Sequence, residues 1–149
     1  MTDAPPLPTR RSPPAGGRAD GRSALHRLLA RRVRELAGGD ALLERSVLLL
    51  ARARDEGSVC LDLGEVAGRP WSARLGGDAD TETDPETLSP LAPSAADWCA
   101  QLAASPAVAS ASRAVEPAPL VLDDERLYLL REWRAEQRLA ETVATRMQR

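Results

Sequence analysis

The order of apolar and polar residues predicts an unstructured start followed by a helix. Residues 1–22 contain five prolines and three glycines. Such a segment buries too little apolar area to offset its ordering entropy, so we expect a disordered leader. The next segment, ALHRLLARRVRELA, has helical periodicity, with Ser23 as its N-cap and Gly38-Gly39 as its end. Its apolar stripe consists of Leu25, Leu28, Leu29, Val33 and Leu36.

A second helix and a short strand follow. Asp40 is a suitable N-cap and Gly57 a suitable end for a helix that is apolar around most of its circumference, so this helix should be buried. The segment SVCLDL after Gly57 alternates in the way expected of a strand. We expect Val59, Leu61 and Leu63 to face the second helix, and Cys60 and Asp62 to face away.

Residues 64–93 predict a mobile acidic loop with Trp71 as its one anchor, because Gly, Pro, Asp, Glu and Thr dominate the stretch. Ser94 and Asp97 have the spacing of a capping box and open a third helix. That helix carries Trp98, Leu102 and Ala103 and is limited by Pro106.

The last third of the chain predicts a hairpin and a long helix. In PLVLDDERLYLL we expect Leu120 and Leu122 to pair with Leu127 and Leu129 across a turn at residues 124–125. Residues 131–149 predict a helix with Trp133, Ala140, Val143, Ala144 and Met147 on one stripe. Since this helix has no C-cap, we expect it to lead into a further domain.

These elements predict an α+β fold for residues 23–149. Helices one to three should pack on a small sheet built from the 59–63 strand and the 119–130 hairpin, with the last helix leading out. The expected structural core includes Val59, Leu61, Trp98, Leu127, Leu129 and Trp133.

Composition changes this picture in two ways. All 20 basic residues are Arg, and Lys, Asn, Ile and Phe are absent, which indicates a GC-rich bacterial genome. The core must therefore be filled by Leu, Val and Ala together with three tryptophans and Tyr128. No apolar run is long enough to cross a bilayer or to serve as a secretion signal, so we expect a soluble cytoplasmic protein without membrane partners.

The net charge of −2 is unevenly distributed. Residues 1–36 carry eight Arg against three acids, whereas residues 37–149 carry 12 Arg against 19 acids. A basic arm of this kind can contact a phosphate backbone, although in a GC-rich proteome an Arg-rich tail is more often a solvated leader.

The residues that could carry catalysis do not form a recognisable constellation. His26 is the only histidine and is expected on the exposed side of the first helix, so neither a triad nor a multi-histidine metal site can form. Cys60 and Cys99 lack a CxxC or His companion and are interpreted as reduced core thiols. The acids Asp78, Asp80, Glu82, Asp84 and Glu86 could gather a cation but fit a solvated loop better, and turn formation explains Asp123, Asp124 and Glu125. We therefore predict no catalytic, cofactor or metal site.

For binding, Tyr128 should lie on the strand face opposite Leu127 and Leu129, either partly exposed at a partner interface or packed under the acidic loop or the third helix. Arg131, Arg134 and Arg138 line the outer side of the last helix and could meet a partner, DNA or only solvent. With Arg126 and Tyr128 they form the candidate partner interface.

Two segments resemble one known family. LLLARARDEGSVCLDL (48–63) and ASPAVASASRAVEPAPLVLDDERLYLLREWRAEQRLA (104–140) resemble the N-terminal, non-motor domain of the RecD (alpha) subunit of bacterial exodeoxyribonuclease V. The most specific part is Arg126-Leu127-Tyr128-Leu129 followed by Trp133 and Glu136. The resemblance covers roughly residues 40–146.

The resemblance implies a subunit of the RecBCD helicase-nuclease, which uses ATP and magnesium for 5′ to 3′ DNA unwinding in double-strand break repair and recombination. The motor region, with its GxxxxGK[ST] phosphate loop, would follow this domain, and this chain contains neither that motif nor any Lys. The implied role is to hold the motor against its partners, chiefly RecC but also RecB, with DNA reached through the complex. Two other hypotheses are a stand-alone nucleic-acid-binding module that uses the Arg-rich leader and last helix, and a metal nuclease that uses Asp123 and Asp124.

Overall fold

The computed structural model describes residues 16–38, 40–75, 90–113 and 118–148. In these ranges the chain forms six helices and a four-stranded mixed sheet, which confirms the predicted α+β class. The acids of residues 78–86 and most of the predicted leader lie outside the described residues.

The first helix, α1 (Gly16–Leu36), begins seven residues before the predicted N-cap Ser23. The predicted boundary was wrong because a helix that is already nucleated extends at little cost through residues such as Arg18 and Ala19. The helix contacts α2 through Ala30 and Val33, both buried. Leu25, Leu28, Leu29 and Leu36, predicted to share the apolar stripe with Val33, are exposed instead.

The second helix, α2 (Ala41–Asp55), is the centre of the core, as predicted, since every residue from Ala41 to Ala51 is buried. Its N-cap is Asp40, whose carboxylate accepts the Leu42 amide at 2.8 Å. At its end the amides of Gly57 and Ser58 donate to the carbonyls of Arg54 and Ala53, at 3.0 and 2.8 Å. These two hydrogen bonds form a Schellman motif, which requires the positive φ of 93° that Gly57 adopts.

The sheet consists of β1 (Cys60–Asp62), β2 (Val108–Ser110), β3 (Leu120–Asp123) and β4 (Arg126–Leu129), in the order β1-β4-β3-β2. Leu120 pairs with Leu129 and Leu122 pairs with Leu127, as predicted for the hairpin. Strand β2 was not predicted, because three residues are too few to show a period. It lies parallel to β3 at one edge of the sheet.

The strand predicted at 59–63 is shorter than expected. Val59 precedes β1 and is 43% exposed, so its assignment to the core was wrong. Leu63 is buried, but it begins the short helix α3 (Leu63–Val66), whose N-cap Asp62 accepts the Gly64 amide at 3.0 Å. The preference of Asp for N-caps ends the strand before Leu63 can extend it.

The predicted loop at 64–93 is ordered at both of its ends. Helix α3, helix α4 (Ser72–Leu75) and a bridge between Pro70 and Leu91 account for these parts. Trp71 is buried as an anchor, but Val66 and Leu75 are buried beside it, so the segment has several anchors. Residues 76–89 lie outside the described residues.

The third predicted helix is α5 (Ala95–Ala103), with Ser94 as its N-cap. It buries Trp98 and Leu102 completely. The Trp98 ring meets Trp71 edge to face, with ring centroids 5.2 Å apart. This pair joins α5 to the segment before α4 and fills the volume that Phe and Ile occupy in other cores.

The last helix, α6 (Leu130–Met147), lies against β3 and β4 at its N-terminal end. Its amide at Leu130 donates to the Pro119 carbonyl, and Glu132 pairs with Arg54 of α2 at 2.8 Å. Trp133 and Leu129, both expected in the core, are only half-buried. The helix has no buried residue, so most of its length extends away from the core.

Candidate interaction surfaces

The described residues hold no group of three or more His, Cys, Asp or Glu side chains that could bind a metal ion. His26 was expected on the exposed side of α1, and this expectation was wrong. Its Nε2 lies 3.5 Å from a carboxylate oxygen of Asp55, and its side chain is 17% exposed. The sole histidine therefore helps to join α1 to the end of α2.

Cys60 and Cys99 are both free and half-buried. The Cys99 thiol donates a hydrogen bond to the Asp124 carbonyl, with the sulfur 3.6 Å from the oxygen. Burial, assisted by the negative charge of Glu125, raises the pKa of Cys99. A thiol in this setting stays protonated at neutral pH, which is the opposite of what a nucleophile needs.

The acids at the hairpin tip have structural roles. Asp124 adopts a positive φ of 50°, a conformation that Asp tolerates better than most residues. The backbone carbonyl of Glu125 accepts the Leu63 amide at 2.9 Å and so attaches the turn to the start of α3. Turn geometry therefore explains these residues without a metal.

A cleft of about 440 Å³ lies beside β1, between the end of α2 and α4. Its charged lining is mixed, because Arg74 lies 3.9 Å from both Glu56 and Glu65. Opposite charges placed this close leave little net field to attract a charged ligand.

Tyr128, a candidate interface residue, is buried with only 4% of its surface exposed, so the expectation of partial exposure was wrong. The groups that act on its phenol, Cys60, Glu136 and Arg126, lie in β1, α6 and β4 and not in the third helix, which was one of the two covers considered from the sequence. Tyr128 pairs with Val121, which is also buried. Burial raises the pKa of Tyr128 to about 12, and the neighbouring Cys60 adds to the shift.

The arginines of the candidate interface lie on the surface. Arg126 is exposed at the start of β4, and Arg131, Arg134 and Arg138 are exposed along α6. The three α6 arginines line a shallow concavity of about 540 Å³ with Leu130 and Gln137. Nothing in the structure tests whether they contact a partner, so that role stays a prediction.

The apolar side chains of α6 are more exposed than the sequence suggested. Trp133, Glu136, Ala140, Val143 and Met147 follow the alternating three- and four-residue spacing of a coiled-coil seam. Val143 and Met147 are 47% and 82% exposed. At the base of this seam the indole Nε1 of Trp133 is buried without a hydrogen-bond partner.

Helix α1 presents a second apolar surface, which sequence reasoning missed. The exposed fractions of Leu25, Leu28, Leu29 and Leu36 are 63%, 55%, 39% and 77%. The missed signal was the spacing of His26, Ala30, Val33 and Ala37. These mostly small residues let α1 approach α2 closely.

Among the described residues, seven of the nine exposed large hydrophobic side chains belong to α1 and α6. The other two, Val59 and Leu91, are separate residues in connecting segments. Exposed apolar residues that are concentrated in this way mark interaction surfaces on soluble proteins. Within the described ranges no helix is long and apolar enough to cross a membrane.

The fold and these surfaces define a small α+β domain that offers helical faces for contact and, in its described part, no cluster suited to metal chemistry. The chain belongs to the family described as "RecBCD enzyme subunit RecD, N-terminal domain", whose model matches residues 22–128. No curated protein and no solved structure matches the chain.

The family match confirms the resemblance inferred from the sequence. It begins within α1 and ends within β4, so it includes α1, which the resemblance had left out. All of α6 lies beyond the matched residues. The family implies membership of a multi-subunit RecBCD complex, which functions in recombination and repair.

Proposed function

We propose that this domain is a non-catalytic assembly module that holds a RecD motor against the other subunits of a RecBCD-type enzyme, chiefly RecC. The enzyme would act in the cytoplasm as an ATP-dependent helicase-nuclease on double-strand breaks. The domain itself would supply contact surface and no chemistry.

The observation that carries the proposal is the concentration of exposed apolar side chains on α1 and α6. The core is formed by Trp71, Trp98 and eleven consecutive buried residues of α2, and the exposed side chains of α1 and α6 do not contribute to it. In water each exposed leucine forfeits the roughly 1.5–3 kcal/mol that full burial contributes. A partner chain would recover that free energy.

The residues present do not suit the nucleotide that the family uses. ATP binding by such motors needs a phosphate loop with a lysine, and the sequence has neither the GxxxxGK[ST] motif nor any Lys. We therefore assign ATP and magnesium to the motor region of the subunit and no step of hydrolysis to this chain.

Coexpression of the chain with RecB and RecC tests the proposal. We expect the chain to co-purify with RecC at low and at moderate salt, because apolar contacts are not screened by ions. Failure to co-purify at either salt concentration would contradict the proposed function.

A second candidate, a nucleic-acid-binding module, is favoured by the exposed arginines of α6 and of α1. It requires DNA affinity of the chain alone that falls steeply with salt. Binding curves that stay flat at low salt would exclude it, and we expect that result because Glu132, Glu136 and Glu141 lie on the same helix.

A further inference from the structure

Helix α1 has two distinct faces. His26, Ala30, Val33 and Ala37 lie on the side that contacts α2. At about 100° per residue, Leu25, Leu29 and Leu36 fall within roughly 40° of one another, on a line about 90° away from that side. Leu28 lies about 60° from Leu25, farther from α2. We refer to these four leucines as the leucine face of α1.

The charges around the leucine face are mostly positive. Between Arg22 and Leu36 the helix contains five arginines and one glutamate. Arg22 and Arg32 are both exposed and fall on the leucine face itself, within about 60° of Leu25. Arg34 forms an ion pair with Glu44 of α2 at 2.7 Å. Arg32 lies 3.0 Å from the carboxylate of Glu35 on the same helix, an exposed ion pair that a partner's carboxylate can replace.

We propose that the leucine face of α1 docks an apolar ridge flanked by carboxylates on a partner subunit. This inference rests on the proposed function and deepens it by naming one contact surface and the chemistry of its occupant. The leucines would exclude water at the centre of the contact. Arg22 and Arg32 would pair with the acidic side chains at its rim.

The positive charges around the leucine face distinguish three possible binding partners: a second copy of the chain, a nucleic acid and an acidic protein surface. A second copy of the chain would bring the arginines of two α1 helices together, and like charges oppose that pairing. A nucleic acid would satisfy the arginines but would set four leucines against phosphates and water. An acidic amphipathic surface satisfies both sets of side chains at once.

The test compares four double variants of the full chain, one of them a control, for affinity to the coexpressed RecB and RecC subunits. Leu25→Glu with Leu36→Glu alters the most exposed leucines. We expect it to weaken binding at least about tenfold, since interface residues at the centre of a contact contribute this much or more. Leu25→Ala with Leu36→Ala provides a milder version, and circular dichroism melting checks that both variants fold.

The matched control is Val59→Glu with Leu91→Glu, which adds the same charge at exposed apolar positions away from α1. We expect it to bind as tightly as the unaltered chain. The charge variant Arg22→Glu with Arg32→Glu should weaken binding about tenfold at low salt and less at high salt, because ions screen exposed charges.

Each alternative outcome overturns a defined part of the account. Unaltered binding by both leucine variants would remove the α1 contact and leave the proposed function standing. No binding by the unaltered chain would remove both. If the unaltered chain elutes as a dimer in size-exclusion chromatography and the variant Leu25→Glu with Leu36→Glu elutes as a monomer, the face binds a second copy of the chain instead. DNA binding that is lost in the arginine variant, with RecB and RecC binding unchanged, would assign the arginines to nucleic acid.

Discussion

The indole Nε1 of Trp98 donates a hydrogen bond of 2.9 Å to the hydroxyl of Ser46. That hydroxyl in turn donates to the Leu42 carbonyl at 2.7 Å, one turn earlier in α2. Trp98 and Ser46 are completely buried. The central polar group of the core is thus satisfied entirely by protein atoms, and it fixes how α5 packs on α2.

Ser46→Ala should destabilise the fold by about 1–3 kcal/mol, because it leaves the buried indole N–H without an acceptor. Urea denaturation followed by tryptophan fluorescence measures the change. Ser58→Ala, at an exposed position, is the control and should change stability by less than about 0.5 kcal/mol. Equal stabilities of the two variants would show that the hydrogen bond contributes nothing.

Trp98→Ala should cost about 3–5 kcal/mol, the range for a fully buried aromatic side chain. Trp133→Ala should cost clearly less, since Trp133 is half-buried and its indole nitrogen has no partner to lose. The same denaturation assay compares the two. A larger loss of stability in Trp133→Ala than in Trp98→Ala would contradict the account, because it would mean that α6 contributes more to the core than α5.

The stability of the fold should fall as the pH rises from about 10 to about 12. Burial raises the pKa of Tyr128 from its ordinary value of 10.0 to about 12, so the folded state holds a proton that the unfolded state releases in this range. The contribution is fully present below pH 10 and is lost as the pH rises through the folded pKa. The sequence has no Lys and no other Tyr, but burial also raises the pKa of the Cys99 thiol, so the comparison with a variant that lacks the phenol isolates the contribution of Tyr128.

Denaturation midpoints measured between pH 9 and pH 12 test this dependence. In Tyr128→Phe the decline over that range should become much shallower. If the decline is the same with and without the phenol, Tyr128 is not its cause.

The hairpin turn depends on the positive φ of Asp124. Asp124→Val should destabilise by about 1–2 kcal/mol, because a β-branched residue is strained in that conformation. Asp124→Gly should remain within about 0.5 kcal/mol of the native chain, because Gly adopts it freely. Thermal melting compares them, with Glu125→Val as the control at the neighbouring turn position. A valine tolerated equally at both positions would contradict the turn geometry.

The sequence predicted the elements whose partners lie close along the chain. The alternation of Leu120, Leu122, Leu127 and Leu129 defined the register of the hairpin, and Asp40 and Gly57 defined the ends of α2. In these cases a local rule and the tertiary packing lead to the same result.

The errors arose where apolar residues had more than one surface to face. Of the stripe predicted for α1 only Val33 is buried, and its buried neighbour is Ala30 rather than a leucine, because small side chains allow the helices to approach closely. For Tyr128 the sequence left exposure and burial open, because alternation along β4 does not show whether the second face of the sheet is covered too, and the structure buries it. Hydrophobic periodicity identifies an apolar face without identifying what covers it.

The central claim is that α1 and α6 are covered by partner subunits in the assembled enzyme. Hydroxyl-radical footprinting with mass spectrometry measures this directly, by comparing side-chain oxidation in the isolated chain and in its complex with RecB and RecC. We predict strong protection of Leu25, Leu36 and Met147 in the complex and unchanged oxidation of Val59 and Leu91. Equal oxidation of the α1 and α6 side chains in both states would contradict the account.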